Sequence, residues 1–292
     1  MDLDGVLLIN KEVGRTSFET VALVKKRLEA RKAGHAGTLD KSASGLLVVC
    51  VNGATAVQDI LMGQFKRYRG TVRFGIETDT LDCYGRVIRT GPAGGFTDEE
   101  LLPVLRSFQG IIEQVPPQFS AIHRDGKRLY RRALSGEQVT AQPRQVEIRD
   151  ITLVSNDQTS IVIEVVASKG TYIRSLARDV ASSLGTCGYL AQLHRFSVGS
   201  FSVDQAVRID EVDGKTPLIP LQEAMSDFPQ MEIKAEMVQR VCNGMPAWRV
   251  LRDVQECALP DAEYLCLTHD RSLVALVRLK PKPGYLRVFC TA

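Results

Sequence analysis

The sequence predicts an α+β protein with a small β-rich segment at its C-terminal end. Two capping boxes, each a threonine followed three residues later by a glutamate, open amphipathic helical patterns. Short apolar runs rich in β-branched residues lie around them and are typical of strands. The composition changes near Pro220 to Pro229, and short strand-like runs separated by turns follow. We therefore expect one domain over residues 1–230 and a second over residues 231–292.

The first 75 residues show strand and helix patterns in turn. After a short apolar segment at 6–9, Thr16 and Glu19 open a helix that carries Phe18 on its apolar side, with Gly34 as its stop signal. Residues 35–41 are then expected to form a loop. The remaining patterns of this part predict a buried strand at 46–51, a helix at 54–62 and a half-buried strand at 68–74.

The rest of the chain follows the same rules. Thr97 and Glu100 open a helix ending near Gly110, after turns around a short strand at 86–90. Residues 115–136 hold two prolines and a basic cluster, which indicates a functional loop with a short helix. Further patterns predict strands at 160–167 and 190–198, a helix at 172–184, and tail strands at 264–267, 273–279 and 285–291.

Composition excludes several classes of protein. The chain has 292 residues, 44% hydrophobic and 24% charged, which is enough to bury a sizeable core. With no secretion leader and no apolar run of about 18 residues, we expect a cytoplasmic protein without a membrane partner. The seven cysteines are scattered without C-x-x-C spacing, so reduced thiols are expected. The four histidines form no close pair, and we expect no metal.

Basic side chains are concentrated in three clusters, although the whole chain carries only +3. A single cluster of this kind is usually a solvated surface. Three clusters interleaved with Tyr68 and Tyr130 favour looped or single-stranded RNA, which binds through phosphate contacts and aromatic stacking. The clusters are Lys25, Lys26, Arg27, Arg31 and Lys32; Lys66, Arg67, Arg69 and Arg73; and Arg124, Lys127, Arg128, Arg131 and Arg132.

The sharpest local feature is the segment from Gly34 to Asp40, GHAGTLD, followed by SASGLL. Its glycines would allow the backbone to approach a ligand closely, but glycines also serve ordinary turns. On the residues alone, Asp40 is either a catalytic carboxylate or the side chain of an Asx-turn or cap.

The string GHAGTLDKSASGLL resembles the signature loop of the TruB family of tRNA pseudouridine-55 synthases. Six further matches occur in the same order and extend the resemblance over residues 5 to about 205. They are Asn10-Lys11 with Gly14-Arg15-Thr16-Ser17; Lys66-Arg67-Tyr68; Gly75 with Thr78-Asp79-Thr80-Leu81-Asp82 and Gly85; Pro116-Pro117-Gln118-Phe119-Ser120-Ala121; Ser168-Lys169-Gly170-Thr171-Tyr172-Ile173-Arg174-Ser175-Leu176-Ala177-Arg178-Asp179; and Leu190 with Leu193-His194-Arg195.

The resemblance implies roles for three catalytic residues. Asp40 is the nucleophile that attacks the target uridine, and no cofactor is needed. Tyr68 stacks on the target base, whereas its pattern alone indicates an ordinary strand tyrosine. Arg174 pairs with Asp40, because a guanidinium fork matches a carboxylate. On helical spacing alone Arg174 would belong to a solvated face.

The same resemblance implies a substrate pocket and a fold. His35 wedges into the T loop and supports extrusion of the base, although a lone loop histidine is usually a surface residue. The residues lining the uridine pocket are Lys11, Lys66, Tyr172 and Leu193. The implied fold is a pseudouridine synthase domain with a mixed, largely antiparallel sheet flanked by helices, followed by a PUA-like RNA-binding domain at 231–292. We expect a monomer with transfer RNA as its partner.

Three residues depart from the family pattern, and two rival functions stay open. Glu12 and Lys41 replace common prolines, which puts the stiffness of the loop in doubt, and His123 replaces a frequent lysine. The first rival is a pseudouridine synthase that acts on another RNA. The second is a non-catalytic chaperone that folds transfer RNA by inserting His35.

Overall fold

A computed structural model describes residues 4–118, 123–124, 127–128, 142–254 and 260–289. Its strands are β1 (Gly5–Lys11), β2 (Ala33–His35), β3 (Ala43–Val51), β4 (Lys66–Phe74), β5 (Ile76–Thr78), β6 (Val87–Thr90), β7 (Gly110–Gln114), β8 (His123–Arg124), β9 (Lys127–Arg128), β10 (Arg144–Asn156), β11 (Ser160–Ala167), β12 (Gly188–Val198), β13 (Phe201–Ser202), β14 (Gln230–Glu232), β15 (Tyr264–His269), β16 (Ser272–Arg278) and β17 (Gly284–Val288).

The helices lie between these strands. The α-helices are α1 (Ser17–Arg27), α2 (Gln58–Gly63), α3 (Asp98–Ser107), α4 (Ile173–Ser183), α5 (Leu221–Ala224), α6 (Ala235–Cys242) and α7 (Ala247–Val254). Short 3₁₀ helices occupy Asn52–Val57, Val203–Gln205 and Ile209–Glu211. Within the described part of the chain, no helix is long and apolar enough to cross a membrane.

The main sheet has the strand order β1-β3-β12-β4-β11-β10-β7, with β2 added to β3 and β13 to β12. Neighbouring strands in this part run antiparallel, except that β12 runs parallel to β3. The parallel pair aligns Leu193 with Ala43 and Arg195 with Gly45. The start of β3, which directly follows the Asp40 loop, therefore lies beside the middle of β12.

The side-chain pattern of β3 and β4 shows how the sheet is covered. In β4 every second residue is buried, as expected for a strand with one covered face. In β3 the run from Leu46 to Val51 is apolar throughout because both faces are covered. Leu47 and Val49 belong to the core under α1, α3 and α4, whereas Leu46 and Val48 belong to a second core on the other face. Each of these side chains contributes about 1.5–3 kcal/mol by its burial.

Both predicted capping boxes are confirmed. The hydroxyl of Thr16 accepts from the backbone N–H of Glu19, and the side chain of Glu19 accepts from the backbone N–H of Thr16. Thr97 and Glu100 make the same two hydrogen bonds at the start of α3. Each pair satisfies two N–H groups that a helix start leaves without partners.

Several predicted boundaries are wrong. The first helix ends at Arg27, well before Gly34, and Phe18 is 79% exposed instead of packed. The helix expected at 54–62 is a 3₁₀ helix followed by α2. The helix expected to end near Gly110 ends at Ser107, and Gly110 itself begins strand β7 with a φ of +93°.

His35 also lies differently from the prediction. It ends strand β2, which pairs with the second half of β3, so the loop begins only at Ala36. The loop expected over 115–136 falls mostly outside the described residues, as does its short helix. Its described backbone contains the paired strands β8 and β9.

The C-terminal segment contains a four-stranded sheet in the order β14-β15-β16-β17. The three predicted tail strands are confirmed, but helices α6 and α7 were not predicted. Cys266, Leu273 and Leu276 of this sheet join the second core of the main sheet, so the two sheets share apolar contacts. Cys242 is disulfide-bonded, contrary to the expectation of reduced thiols, whereas Cys50, Cys83, Cys187 and Cys266 are free.

Candidate active site

The loop between β2 and β3 is fixed by hydrogen bonds from several elements. The hydroxyl of Ser17 donates to Leu39 O at 2.9 Å and accepts from Leu39 N at 2.8 Å. The N–H of Gly14 donates to Lys41 O at 2.8 Å, and Ala43 N donates to Asp40 O at 3.1 Å. Asp40 is thus the first residue of a tight turn, Asp40 to Ala43, in a loop whose backbone is held at several points.

Asp40 and Arg174 form an ion pair. The Nε of Arg174 lies 2.8 Å from Oδ2 of Asp40, and an Nη of Arg174 donates to Oδ1 at 3.2 Å. The other Nη donates to Thr80 O at 2.7 Å, so the guanidinium is itself oriented. The Arg174 side chain is 6% exposed and that of Asp40 is 34% exposed. The carboxylate therefore keeps an open side for a substrate while the arginine is enclosed.

The position of Arg174 follows from its helix. It is the second residue of α4. This helix packs on β4 at Gly70, where a Cβ would lie 3.6 Å from Ile173. Because Gly70 has no side chain, the start of α4 can lie close to the strand. The hydroxyl of Ser175 also donates to Val115 O at 2.8 Å, which ties the first turn of α4 to the end of β7.

Lys11 lies beside the pair at the end of β1. It is 1% exposed, and its ammonium donates to Glu12 O at 2.9 Å and to Arg15 O at 2.8 Å. Burial lowers the pKa of Lys11 to about 8, although Asp40 is near enough to oppose this shift. Lys11 is thus one of the predicted pocket residues that the structure brings to Asp40.

A second carboxylate supports the loop, and its role was not predicted. Asp82 is 7% exposed and accepts from Thr80 Oγ1 at 2.6 Å and from Ser42 Oγ at 3.1 Å. It thereby connects the segment that contacts Arg174 with the residue two positions after Asp40. The only signal in the sequence was the matched string from Thr78 to Asp82.

Tyr68 and Leu193 lie on the two central strands next to this loop. Tyr68 is 9% exposed and pairs with Arg195 in register, while Leu193 pairs with Gly70 and Ala43. Tyr172 precedes α4, and its N–H donates to the side chain of Gln114 at 2.8 Å. Its ring lies 4.6 Å from the guanidinium carbon of Arg144. Most of the Tyr68 side chain lies in the apolar core under α1, α3 and α4.

Lys66 and His35 have other neighbours. The ammonium of Lys66 donates to Gln64 O at 2.5 Å and to Met62 O, and burial lowers its pKa to about 7. Burial also lowers the pKa of the half-buried His35, and its Nδ1 has no hydrogen-bond partner among the described residues. The charge of Arg195 adds to both shifts.

The second basic cluster is weaker than its sequence suggests. Lys66 is buried, and Glu164 on β11 accepts from Arg67 Nε at 3.0 Å and from Arg69 Nη2 at 2.6 Å. One carboxylate therefore offsets one of the charges of this cluster, and Arg67 and Arg69 share it. In the first cluster, by contrast, Lys25, Lys26 and Lys32 are exposed. The side chains of the third cluster lie outside the described residues.

The two proline replacements near the loop have contacts of their own. Glu12 Oε1 lies 2.9 Å from an Nη of Arg208, and the backbone of Lys41 accepts from Gly14 as described above. Hydrogen bonds thus restrain the positions where family members commonly have proline. His123 lies on β8, and its side chain is outside the described part.

One group of side chains in the described structure brings three possible metal ligands together. Glu232, His269 and Asp270 each offer one ligand atom within 4.8 Å of the others. They lie on and beside β14 and β15, in the C-terminal segment and not in the Asp40 loop. Asp270 is 90% exposed, and such exposed acidic groups are common without an ion.

Comparison with known proteins gives one consistent family. The family model described as TruB family pseudouridylate synthase (N terminal domain) matches residues 25–173. A protein of Bordetella pertussis named tRNA pseudouridine synthase B is 44% identical over 227 residues, 76% of this chain and 93% of that protein. A relative of the same name in Caldanaerobacter subterraneus is 38% identical over 246 residues, 84% of this chain and 86% of its own.

Solved structures agree at the level of the fold. A chain in the crystal structure of a Cbf5-Nop10-Gar1 complex superimposes with a TM-score of 0.71 and 24% identity, covering 99% of this chain and 84% of that one. The mixed, largely antiparallel sheet with flanking helices is thus the pseudouridine synthase fold expected from the sequence. The match to the family model and the identity to curated relatives lead to one conclusion: this chain belongs to the TruB family of pseudouridylate synthases.

Proposed function

We propose that this chain isomerises the uridine at position 55, in the T loop of transfer RNA, to pseudouridine. The observation that carries the proposal is the half-open carboxylate of Asp40 held by the enclosed guanidinium of Arg174. The relatives named tRNA pseudouridine synthase B supply the class of substrate. The sequence motifs supply the position within that RNA.

The reaction balances without an oxidant or a metal. The bond from N1 to C1′ of the ribose breaks, a bond from C5 to C1′ forms, C5 loses a proton and N1 gains one. A nucleophile divides this exchange into easier steps through a covalent intermediate. Asp40 supplies that nucleophile, attacking either C6 of the uracil or C1′ of the ribose. Arg174 fixes the carboxylate in the direction of attack.

The target uridine must leave its stack before Asp40 can reach it. Extrusion of a base costs a few kcal/mol, which contacts to the rest of the RNA offset. His35 occupies the space left in the T loop, and Tyr68 stacks on the flipped base. Lys11, Lys66, Tyr172 and Leu193 complete the pocket.

The C-terminal segment, residues 231–292, acts as a PUA-like RNA-binding domain in this proposal. Its helix α7 carries Trp248, which is 44% exposed and lies 5.1 Å from the guanidinium of Arg249 and 5.8 Å from that of Arg252. An exposed aromatic ring between two arginines is suited to stacking and phosphate contacts.

Mapping of the product tests this function. Purified protein is incubated with unmodified transfer RNA, with the same RNA carrying cytidine at position 55, and with a ribosomal RNA fragment. We expect pseudouridine at position 55 of the first RNA and none in the other two. Modification of the ribosomal fragment instead would favour a synthase of another RNA. Refolding of transfer RNA without any pseudouridine would favour the chaperone.

A further inference from the structure

Arg195 is a buried cation that faces the Asp40 loop. It lies on β12, is 1% exposed, and belongs to a matched sequence motif to which no role was assigned. Its Nε donates to Leu46 O at 2.7 Å, and one Nη donates to Gly37 O at 3.0 Å. The other Nη lies 3.5 Å from Thr38 O. One side chain thus reaches the backbone on both sides of Asp40.

These carbonyls define the two ends of the loop. Gly37 and Thr38 come three and two residues before Asp40, and Leu46 lies in β3 after it. The guanidinium therefore joins the two ends of the loop by hydrogen bonds. These bonds add to those that Ser17 and Gly14 make to the same loop. Because a buried carbonyl without a donor is costly, this arrangement favours one loop conformation over others.

The backbone of Arg195 is equally fixed relative to the loop. Gly45 and Arg195 are partners in the parallel pair of β3 and β12, and a Cβ on Gly45 would lie 2.3 Å from Arg195 O. Gly45 also has a φ of +101°, which a residue with a side chain rarely adopts. The absence of a side chain at Gly45 lets the two strands approach closely enough for the guanidinium to reach Gly37.

An arginine suits this place better than a lysine. Its planar fork directs several N–H groups at once, whereas an ammonium on a flexible stem is a point charge. The charge also acts on the site, because Arg195 contributes to the lowered pKa values of Lys11, Lys66 and His35.

We propose that Arg195 is a positioning residue that holds the Asp40 loop in the conformation from which the carboxylate attacks. This inference rests on the proposed function. It predicts that Arg195 affects the chemical step and leaves RNA binding unchanged, because its contacts are to the loop backbone and not to the open side of Asp40.

The test compares Arg195→Gln and Arg195→Lys with the wild type. Single-turnover pseudouridine formation at saturating transfer RNA and the Kd for the same RNA are measured on each protein. Because a misplacement of 1 Å can cost about 100-fold in rate, we expect a loss of about that size for Arg195→Gln. The Kd should not change, and Arg195→Lys should restore part of the rate.

Two further variants separate positioning from general stability. Leu105→Ala removes a fully buried side chain of α3, and no described residue of this helix donates a hydrogen bond to the loop, so it should lower stability and leave the single-turnover rate unchanged. Gly37→Ala disturbs the contact with Arg195 from the loop side, since Gly37 has a φ of +118°, which a residue with a side chain rarely adopts. It should reproduce the loss of rate without a change in Kd, even if Arg195→Gln does not fold.

Equal loss of rate in Leu105→Ala and Arg195→Gln would reduce Arg195 to a stability residue. A wild-type rate in Arg195→Gln or in Gly37→Ala, or a raised Kd with an unchanged rate, would also overturn the inference. A wild type that makes no pseudouridine at position 55 would instead refute the proposed function.

Discussion

The ion pair of Asp40 and Arg174 determines how the site can work at the scale of single residues. Two nitrogens of the guanidinium face the two carboxylate oxygens, and the third is held by Thr80 O. This fork orients the carboxylate as well as neutralising it. A lysine ammonium at the same place could neutralise the carboxylate but could not orient it.

Arg174→Lys therefore tests orientation separately from charge. We expect a variant that folds and binds transfer RNA normally, with a single-turnover rate lower by about 100-fold because the carboxylate is no longer aligned. Rates and Kd values on the same preparation are the measurement. A rate within the error of the wild type would show that charge alone is enough.

Lys66 gives a prediction on pH. Burial lowers its pKa from 10.5 to about 7 in the folded protein. Between a pH of about 7 and a pH of 10.5, Lys66 carries a proton in the unfolded chain and lacks it in the folded chain. The free energy of unfolding therefore rises with pH in this range. Lys66→Met remains neutral and lacks this contribution.

The measurement is urea unfolding of both proteins from pH 6 to pH 9.5. Relative to the wild type, the variant should be most stable at pH 6 and lose that advantage as pH rises, by at most about 1.4 kcal/mol per pH unit. A difference that does not depend on pH would mean that the lysine keeps its proton throughout this range.

At the scale of elements, β3 connects the two cores and carries the loop. Leu46 and Leu47 are both fully buried but face opposite cores. Each change to alanine should cost about 2–5 kcal/mol of unfolding free energy, because cavities form where the neighbours cannot close. Val13→Ala is the control, since that side chain is 57% exposed.

Urea unfolding at one pH checks this prediction. A cost below about 1 kcal/mol at Leu46, as is usual for surface changes, would mean that the core shared with the C-terminal sheet adds little. The same result at Leu47 would question the packing of α1 and α4 on the main sheet.

Local signals in the sequence predicted local structure well. The capping boxes at Thr16 and Thr97 involve bonds within four residues, and both occur as expected. The strands β7 and β10, and the short β2 that holds His35, depend on pairing with distant partners. Nothing in their own residues specifies that pairing, so the sequence patterns did not reveal them.

The candidate site shows the same division. Motif resemblance selected Asp40 and Arg174, which are 134 residues apart and meet as an ion pair. The same resemblance did not show that Lys66 turns to backbone carbonyls, that Glu164 pairs with two arginines, or that Arg195 joins the two ends of the loop. Those contacts depend on strand register, which no spacing in the sequence records.

At the scale of the whole molecule, the distribution of charge predicts how binding responds to salt. Phosphate contacts release counterions, so the logarithm of the affinity falls linearly with the logarithm of the salt concentration. Changing the exposed Lys25, Lys26 and Lys32 to glutamine should weaken binding. It should also reduce the slope by about 0.7 to 0.9 for each phosphate that the protein no longer neutralises.

Arg67→Gln with Arg69→Gln is the comparison, because both arginines are already paired with the carboxylate of Glu164. We expect a smaller change in slope per charge removed for this pair than for the three lysines. Filter binding of transfer RNA between about 50 and 200 mM salt measures both. The reverse order would mean that RNA displaces Glu164 and uses the sheet surface instead of α1.

The most direct test of the account is Asp40→Asn, which retains the size of the side chain and removes the negative charge. Single-turnover formation of pseudouridine at position 55 is measured beside binding of the same transfer RNA. We predict wild-type binding and no detectable product over many wild-type turnover times, because no nucleophile remains to form the intermediate. Pseudouridine formation by Asp40→Asn at a rate near that of the wild type would contradict the central claim.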